Sequence, residues 1–346
     1  MFNPKQLVIA IAATACTIPA LTYAANVTSK SDMQIYGRAH LSVDSLDNGS
    51  NYNEINFSSN SSRLGFKGKN DFGSVIGFFQ IEQEINISES GGDFATRDTF
   101  AGVRGGFGMV RMGKFDSPFK AARDPANLFG DQVGDMRNLT RVGDARFDER
   151  LPNVIHYQTP KFGDLQANLA YSLHEGNAAT DNANERAVST SLTYAAGALD
   201  VAVAYEHFEE DRAKGERDAV RLAAGVKVMD GLKLVGFYQT ADHDNDAHDS
   251  DVYGFGADFA LVPKKTYLRA HYLIRNADAV DSDSSLAAIG VEHRIDSALR
   301  FYVNVAQVSN DDNARLTPWG QARTATPSGA LGESARGISL GIRYDF

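Results

Sequence analysis

The chain has one cysteine in 346 residues and one tryptophan. A lone cysteine excludes an internal disulfide framework, so stability outside the cytosol has to come from another source. Beyond residue 24 there is no run of about 18 consecutive apolar residues, which excludes a transmembrane helix there. A basic excess is also missing. Lys and Arg number 34 against 44 Asp and Glu, and the net charge of −10 disfavours a nucleic-acid partner. No linker or low-complexity break divides the chain, and its mean hydropathy is negative.

What is present starts with an export signal. Lys5 supplies a positive head, and Leu7 to Ala15 is apolar but too short to cross a bilayer. Leu21-Thr22-Tyr23-Ala24 places small residues for cleavage after Ala24. Lipoprotein processing at Cys16 needs Leu three residues earlier, where Ala13 stands. Residues 1–24 are therefore read as a signal peptide and 25–346 as one β-barrel domain. Removing the signal, with its single Lys5, makes the mature charge one unit more negative and leaves no cysteine.

The rest alternates with a period of two. Over 34–44, Ile35, Gly37, Ala39, Leu41 and Val43 oppose Gln34, Tyr36, Arg38, His40, Ser42 and Asp44. Residues 165–173, 220–228, 253–261 and 268–275 repeat the pattern. A secreted β-sandwich, the main soluble alternative, also alternates. The connections discriminate. Short turns near 70–73, 105–108, 161–164, 195–197, 229–231, 262–265 and 296–297 alternate with longer polar loops. Those loops fall near 44–56, 85–96, 115–149, 174–187, 209–217, 241–250, 276–284 and 309–335. A membrane barrel has one rim of tight turns and one of long loops.

Sixteen antiparallel transmembrane strands are expected near 33–43, 59–69, 74–84, 97–104, 108–114, 152–158, 165–173, 188–195, 199–208, 218–228, 232–240, 251–261, 266–275, 285–295, 299–308 and 336–346. The third strand is apolar on both faces at Ile76-Gly77-Phe78-Phe79, as though its outer face met a neighbouring subunit. Aromatics near strand ends, among them Tyr36, Phe115, Tyr157, Tyr194, Tyr205, Tyr267 and Tyr344, suit interfacial girdles.

Four motifs in this frame resemble the general, trimeric porins of Gram-negative bacteria. They are Ile35-Tyr36-Gly37-Arg38, Ser62 to Gly68 (SRLGFKG), Thr99 to Gly105 (TFAGVRG) followed by Gly113-Lys114-Phe115, and the terminal Gly341 to Phe346 (GIRYDF). The resemblance spans the mature chain in order. The third loop departs from enterobacterial members, reading Asp116-Ser117-Pro118-Phe119-Lys120 in place of Pro-Glu-Phe-Gly-Gly.

The resemblance implies a pore for passive diffusion of ions and small hydrophilic solutes. It implies a homotrimer in outer-membrane lipid and lipopolysaccharide, with Phe346 as assembly signal. It also implies that loop 115–149 folds into the lumen, bringing the acids Asp116, Asp124, Asp131 and Asp135 with it. Opposite them stands a basic wall cluster at Arg38, Arg63, Arg97 and Arg150, the first three on the lumen parity of their strands. Acids facing arginines set up a transverse field.

Enzyme and metal signals are weak. Gly337 to Gly341 (GISLG) copies a nucleophile-elbow pattern but falls in the last strand, without the strand–turn–helix context that pattern needs. Asp242 to Asp246 (DHDND) resembles a calcium loop, yet Ala247 replaces the needed Gly and Tyr253 the needed Glu. Neither catalysis nor a cofactor is expected. A substrate-specific channel remains the closer alternative, although Tyr36 and Tyr302 are too few for an aromatic track.

Overall fold

The computed structural model describes residues 30–88, 95–173, 186–209 and 214–346. The expected signal peptide lies outside the described residues, as do most of loop 174–187 and parts of loops 85–96 and 209–217.

Eighteen strand segments form one sheet. They are β1 (Lys30–Asp47), β2 (Asn53–Ser59), β3 (Arg63–Asp71), β4 (Val75–Glu84), β5 (Ala95–Thr96) and β6 (Thr99–Gly105). Next come β7 (Gly108–Asp116), β8 (Arg150–Gln158), β9 (Leu165–Ser172), β10 (Ala187–Ala196), β11 (Leu199–Phe208) and β12 (Arg217–Met229). The series ends with β13 (Leu232–His243), β14 (Ser250–Val262), β15 (Thr266–Ala277), β16 (Ser284–Arg294), β17 (Leu299–Asn310) and β18 (Ala335–Asp345). The pairs β2/β3 and β5/β6 are each halves of one stave, so eighteen segments make sixteen staves.

Neighbouring staves run antiparallel, and β1 closes on β18 from Arg38↔Asp345 to Asp47↔Arg336. Closure pairs every stave on both sides, the one way a sheet satisfies its backbone polar groups in lipid.

The two-residue period decides which side faces out. Along β12, Val220 and Leu222 are exposed while Arg221 is fully buried. On β15, Tyr272 is exposed while Arg269, His271 and Leu273 are buried. Apolar residues line the outside and polar ones the inside, the reverse of a soluble domain and the arrangement of a barrel in a bilayer.

Four details differ from the sequence expectation. The first long connection is only 48–52, because β1 runs on to Asp47 and β2 already begins at Asn53, both inside the expected loop 44–56. The stave expected at 97–104 breaks at Arg97-Asp98, where both side chains form ion pairs. The third strand is doubly apolar for an internal reason. Phe78 stacks edge-on with Phe100, centroids 6.1 Å apart, and Arg104 lies over its ring. Likewise Tyr36 and Phe115 leave the expected girdle. Tyr36 donates to Glu82 at 2.9 Å and Phe115 is fully buried.

Candidate pore constriction

Residues 117–149 join β7 to β8 and pack against the inner face of the wall. Two short helical turns, Pro118–Ala121 and Arg137–Thr140, give this segment local structure. Ser117 caps the first by accepting from Lys120 N at 3.1 Å. Phe119, Ala122 and Phe147 bury against wall alanines 170, 187, 202, 204, 219 and 241. Small wall residues leave room for large segment residues, as close packing requires. A second cluster sets Phe129, Val133, Met136 and Leu139 against Phe237, Leu273 and Leu286.

Polar bonds fix the segment to the same part of the wall, on β12, β13, β15 and β17. Arg221 holds Asp148 through two bonds of 2.6 and 3.0 Å, both side chains being fully buried. Arg269 donates to Leu128 O at 2.7 Å, Asn304 to Gln132 at 2.7 Å and Gln239 to Thr140 O at 3.0 Å. Burial pushes the Asp148 carboxyl up, but Arg221 and Arg123 outweigh it and hold it well below the usual carboxylate range.

The acids of the segment have separate fates. Asp131 has a positive φ of 62° and meets Arg137 at 2.7 Å and the wall residue Arg38 at 3.5 Å. Burial raises its carboxyl, yet Arg137, Arg63 and Arg38 hold it well below the usual range. Asp135 is fully buried, with Arg137 at 2.5 Å. Asp116 pairs with Lys120 at 2.8 Å and Arg150 at 2.7 Å. Asp124 is exposed and has no ion-pair partner among the described residues.

Of the four wall arginines named from sequence, Arg38 and Arg150 meet acids from the 115–149 region. Arg63 and Arg97 instead share the wall residue Glu82, at 3.7 and 2.7 Å.

Sequence reasoning missed a larger basic group. A cavity of 320 Å³ is lined by Arg38, Arg123, Arg269, Arg294, Arg300 and Arg343. Only Asp131, Asp258 and Glu292 oppose them there. Three of these arginines face one another across neighbouring strands, as Arg294↔Arg300 and Arg300↔Arg343. Asp345 partly compensates, accepting from Arg38 at 2.7 Å, Arg343 at 2.9 Å and Arg300 at 3.4 Å. Inward parity in β15 and β18 was a usable signal for Arg269 and Arg343. Arg294 and Arg300 keep the inward parity of Glu292 in β16 and Tyr302 in β17, so the same signal applied to them.

A family model described as Gram-negative porin matches residues 9–313. The outer membrane porin protein 32 of Delftia acidovorans is 28% identical over 305 residues, covering 82% of this chain and 84% of that one. The major outer membrane protein P.IB of Neisseria meningitidis is 30% identical over 115 residues, or 33% of each chain. Among solved structures, the anion-selective porin from Comamonas acidovorans superposes with a TM-score of 0.80 at 23% identity, covering 92% of this chain and 100% of that one. The trimer form of OmpT of Vibrio cholerae does so at 0.68 and 17% identity, covering 91% and 99%. Sixteen closed staves with an apolar exterior and a charged interior agree with the matched model. The chain belongs to the Gram-negative porin family and is a multi-pass protein of the outer membrane.

Proposed function

We propose that the chain forms a passive, anion-preferring pore whose narrow zone lies between the 117–149 segment and the arginine-lined wall. The observation that carries this is the cross-strand row Arg294, Arg300 and Arg343. Like charges directly opposite one another destabilise a sheet, so such a row makes sense where mobile anions visit it. The sign agrees with the anion selectivity named for the Comamonas acidovorans structure. In this reading Arg38, Arg63, Arg97 and Arg150 extend the basic wall, while Asp116, Asp124 and Asp131 form the acidic side. Asp135 holds Arg137 in place rather than facing solute.

The chain acts as a channel and not as a catalyst. Supporting this, Ser339 of the elbow-like pattern is fully buried within β18. Residues 1–24 direct export, and 25–346 fold as the mature domain. Partners are two further copies of the chain, membrane lipid with lipopolysaccharide, and small hydrophilic solutes. Exposed tyrosines support a trimer. They occupy β10 to β18 (Tyr194, Tyr205, Tyr238, Tyr253, Tyr272, Tyr344), and among the described residues none lies on β1 to β9. Tyrosine belts mark surfaces that meet lipid headgroups, which leaves the earlier staves for subunit contact.

The test is planar-bilayer recording in a potassium chloride gradient. The reversal potential should lie on the chloride side. A potential on the potassium side would reject the anion preference, and absence of any conductance would reject the pore. Native mass in detergent should correspond to three chains.

A further inference from the structure

We infer that the recess beneath residues 116–125 binds short zwitterionic peptides, with Arg111 taking the carboxylate end and Asp124 and Asp200 the ammonium end. The inference rests on the pore reading above only for the route by which a solute arrives.

This second cavity, of 290 Å³, lies between residues 116–125 and the inner faces of β7 to β11, and it shares no lining residue with the arginine-rich cavity. Its charges are sorted along the wall. Arg111 stands at one end, on β7, and Asp200 at the other, on β11. The turn 124–126 packs on β11, β12 and β13, which brings Asp124 to the Asp200 end. Other charges nearby are already matched, Asp116 by Lys120 and Arg150, and Arg123 by Asp148. Arg111, Asp124 and Asp200 form no ion pair among the described residues.

Arg111 is nonetheless fixed. Its guanidinium lies over the rings of Phe115 and Phe100, 3.9 and 4.7 Å from their centroids. Its Nε donates to His156 Nδ1 at 3.0 Å. Both Nη groups are left for a ligand, in the paired geometry that a carboxylate takes. Between the charged ends runs a row of amides. His156 Nε2 and Gln158 Nε2 donate to Asn168 Oδ1 at 3.1 and 2.9 Å, and Gln166 Nε2 donates to Thr159 O at 3.1 Å. The Oε1 atoms of Gln158 and Gln166 meet no donor among the described residues, and peptide N–H groups would supply one.

Length selects the ligand. From β7 to β11 is four strand spacings, about 19 Å at the backbone. Side chains reaching in from both ends shorten the gap, but a single amino acid still cannot touch both. An extended chain adds about 3.3–3.6 Å per residue, so a peptide of two or three residues fits. Charges kept from water are unfavourable without partners, and a ligand carrying both signs supplies both at once.

The test is saturation-transfer NMR on full-length protein in detergent, checked for folding by heat-modifiable migration, with triglycine as the probe. Wild type should give a saturable signal, and the doubly blocked N-acetyl-triglycine amide should bind about tenfold more weakly or not at all. Arg111→Gln should weaken triglycine about tenfold but leave triglycine amide, which has no carboxylate, as in wild type. Asp124→Asn/Asp200→Asn should weaken triglycine similarly and leave N-acetyl-triglycine unaffected. This crossover separates recognition of each end from structural damage, and the aspartate variant with the blocked peptides serves if Arg111→Gln does not fold.

No binding of triglycine to folded wild type would overturn the inference, as would equal binding of the doubly blocked peptide. If 1,4-diaminobutane bound as well as triglycine, the recess would be a plain cation site and the role of Arg111 would fall. Binding is read without conduction, so these failures leave the pore reading standing. A wild type that binds triglycine yet conducts no potassium chloride would remove the pore reading alone.

Discussion

Phe346 closes the barrel on Gly37. The two residues exchange backbone hydrogen bonds, Phe346 N to Gly37 O at 3.0 Å and Gly37 N to Phe346 O at 2.9 Å. The Phe346 ring lies over Gly37, in space that a Cβ would occupy. The last residue thus completes the seam between the first and last staves, one step beyond Asp345, which gathers Arg38, Arg300 and Arg343 inside.

Closing the seam needs both members. Gly37→Val should push the ring aside at a cost of about 1–3 kcal/mol, the usual range for overpacking. Deleting Phe346 should be worse, since it removes the ring and a hydrogen-bonded pair. Both should lower the folded, heat-modifiable fraction on a detergent gel, the deletion more. Equal folded yields for wild type and deletion would refute the role of Phe346 in assembly.

The constriction segment should stay in place over a wide pH range. Asp131 and Asp148 have folded pKa values below the ordinary carboxylate value of about 3.9. Depressed groups stabilise fully above the unfolded pKa and lose that contribution only as pH falls through the lower, folded one. Conductance and current noise should therefore be flat from pH 8 down to about 4 and change only under stronger acid. A transition centred near pH 6 would mean that some other group holds the segment.

Removing the charge from Asp148 should loosen the segment at neutral pH. Asp148→Asn leaves the fully buried Arg221 without its counter-charge. Breaking a buried pair from one side costs about 3–5 kcal/mol. The barrel should still form, because its ladder does not use Asp148, but current through the pore should flicker between levels. A steady wild-type current from Asp148→Asn would show that the apolar clusters alone suffice to hold the segment.

The wall was legible in the sequence because its physics is local. Alternation along β12, β14 and β15 reports directly on which side meets lipid, and it needs no knowledge of neighbours. What was not legible depends on register or on long-range packing. Nothing in Arg294 and Arg300 marks them as neighbours until the turn 295–298 fixes which residues face one another. The inward position of Trp319 depends on contacts with Leu46 and Met136, far away in sequence. The acids of 117–149 were visible as residues. Arg137, which engages Asp131 and Asp135, was not singled out, because ion pairing inside a loop leaves no periodic trace.

The arginine row gives the sharpest test of selectivity. Arg300 sits between Arg294 and Arg343 in register, pairs with Asp345 at 3.4 Å and donates to Ser297 O at 3.2 Å. Arg300→Gln removes one charge from the centre of the row at nearly constant volume. Repulsion in the sheet falls, so folding should not suffer, and chloride preference should drop. Arg63→Ser is the contrasting variant. Its partner Glu82 keeps Arg97 at 2.7 Å, so local charge changes less where anions pass. Conductance should rise slightly from lost volume, and the reversal potential should move toward cations less than in Arg300→Gln. Both shifts should shrink as salt increases, since the Debye length falls from about 10 Å at 0.1 M to about 3 Å at 1 M. If Arg63→Ser moved the reversal potential more than Arg300→Gln at low salt, the selective zone would lie at the β1/β3/β4 wall instead of at the row. If neither variant moved it, the arginines would be structural charges and the anion preference would have to be abandoned.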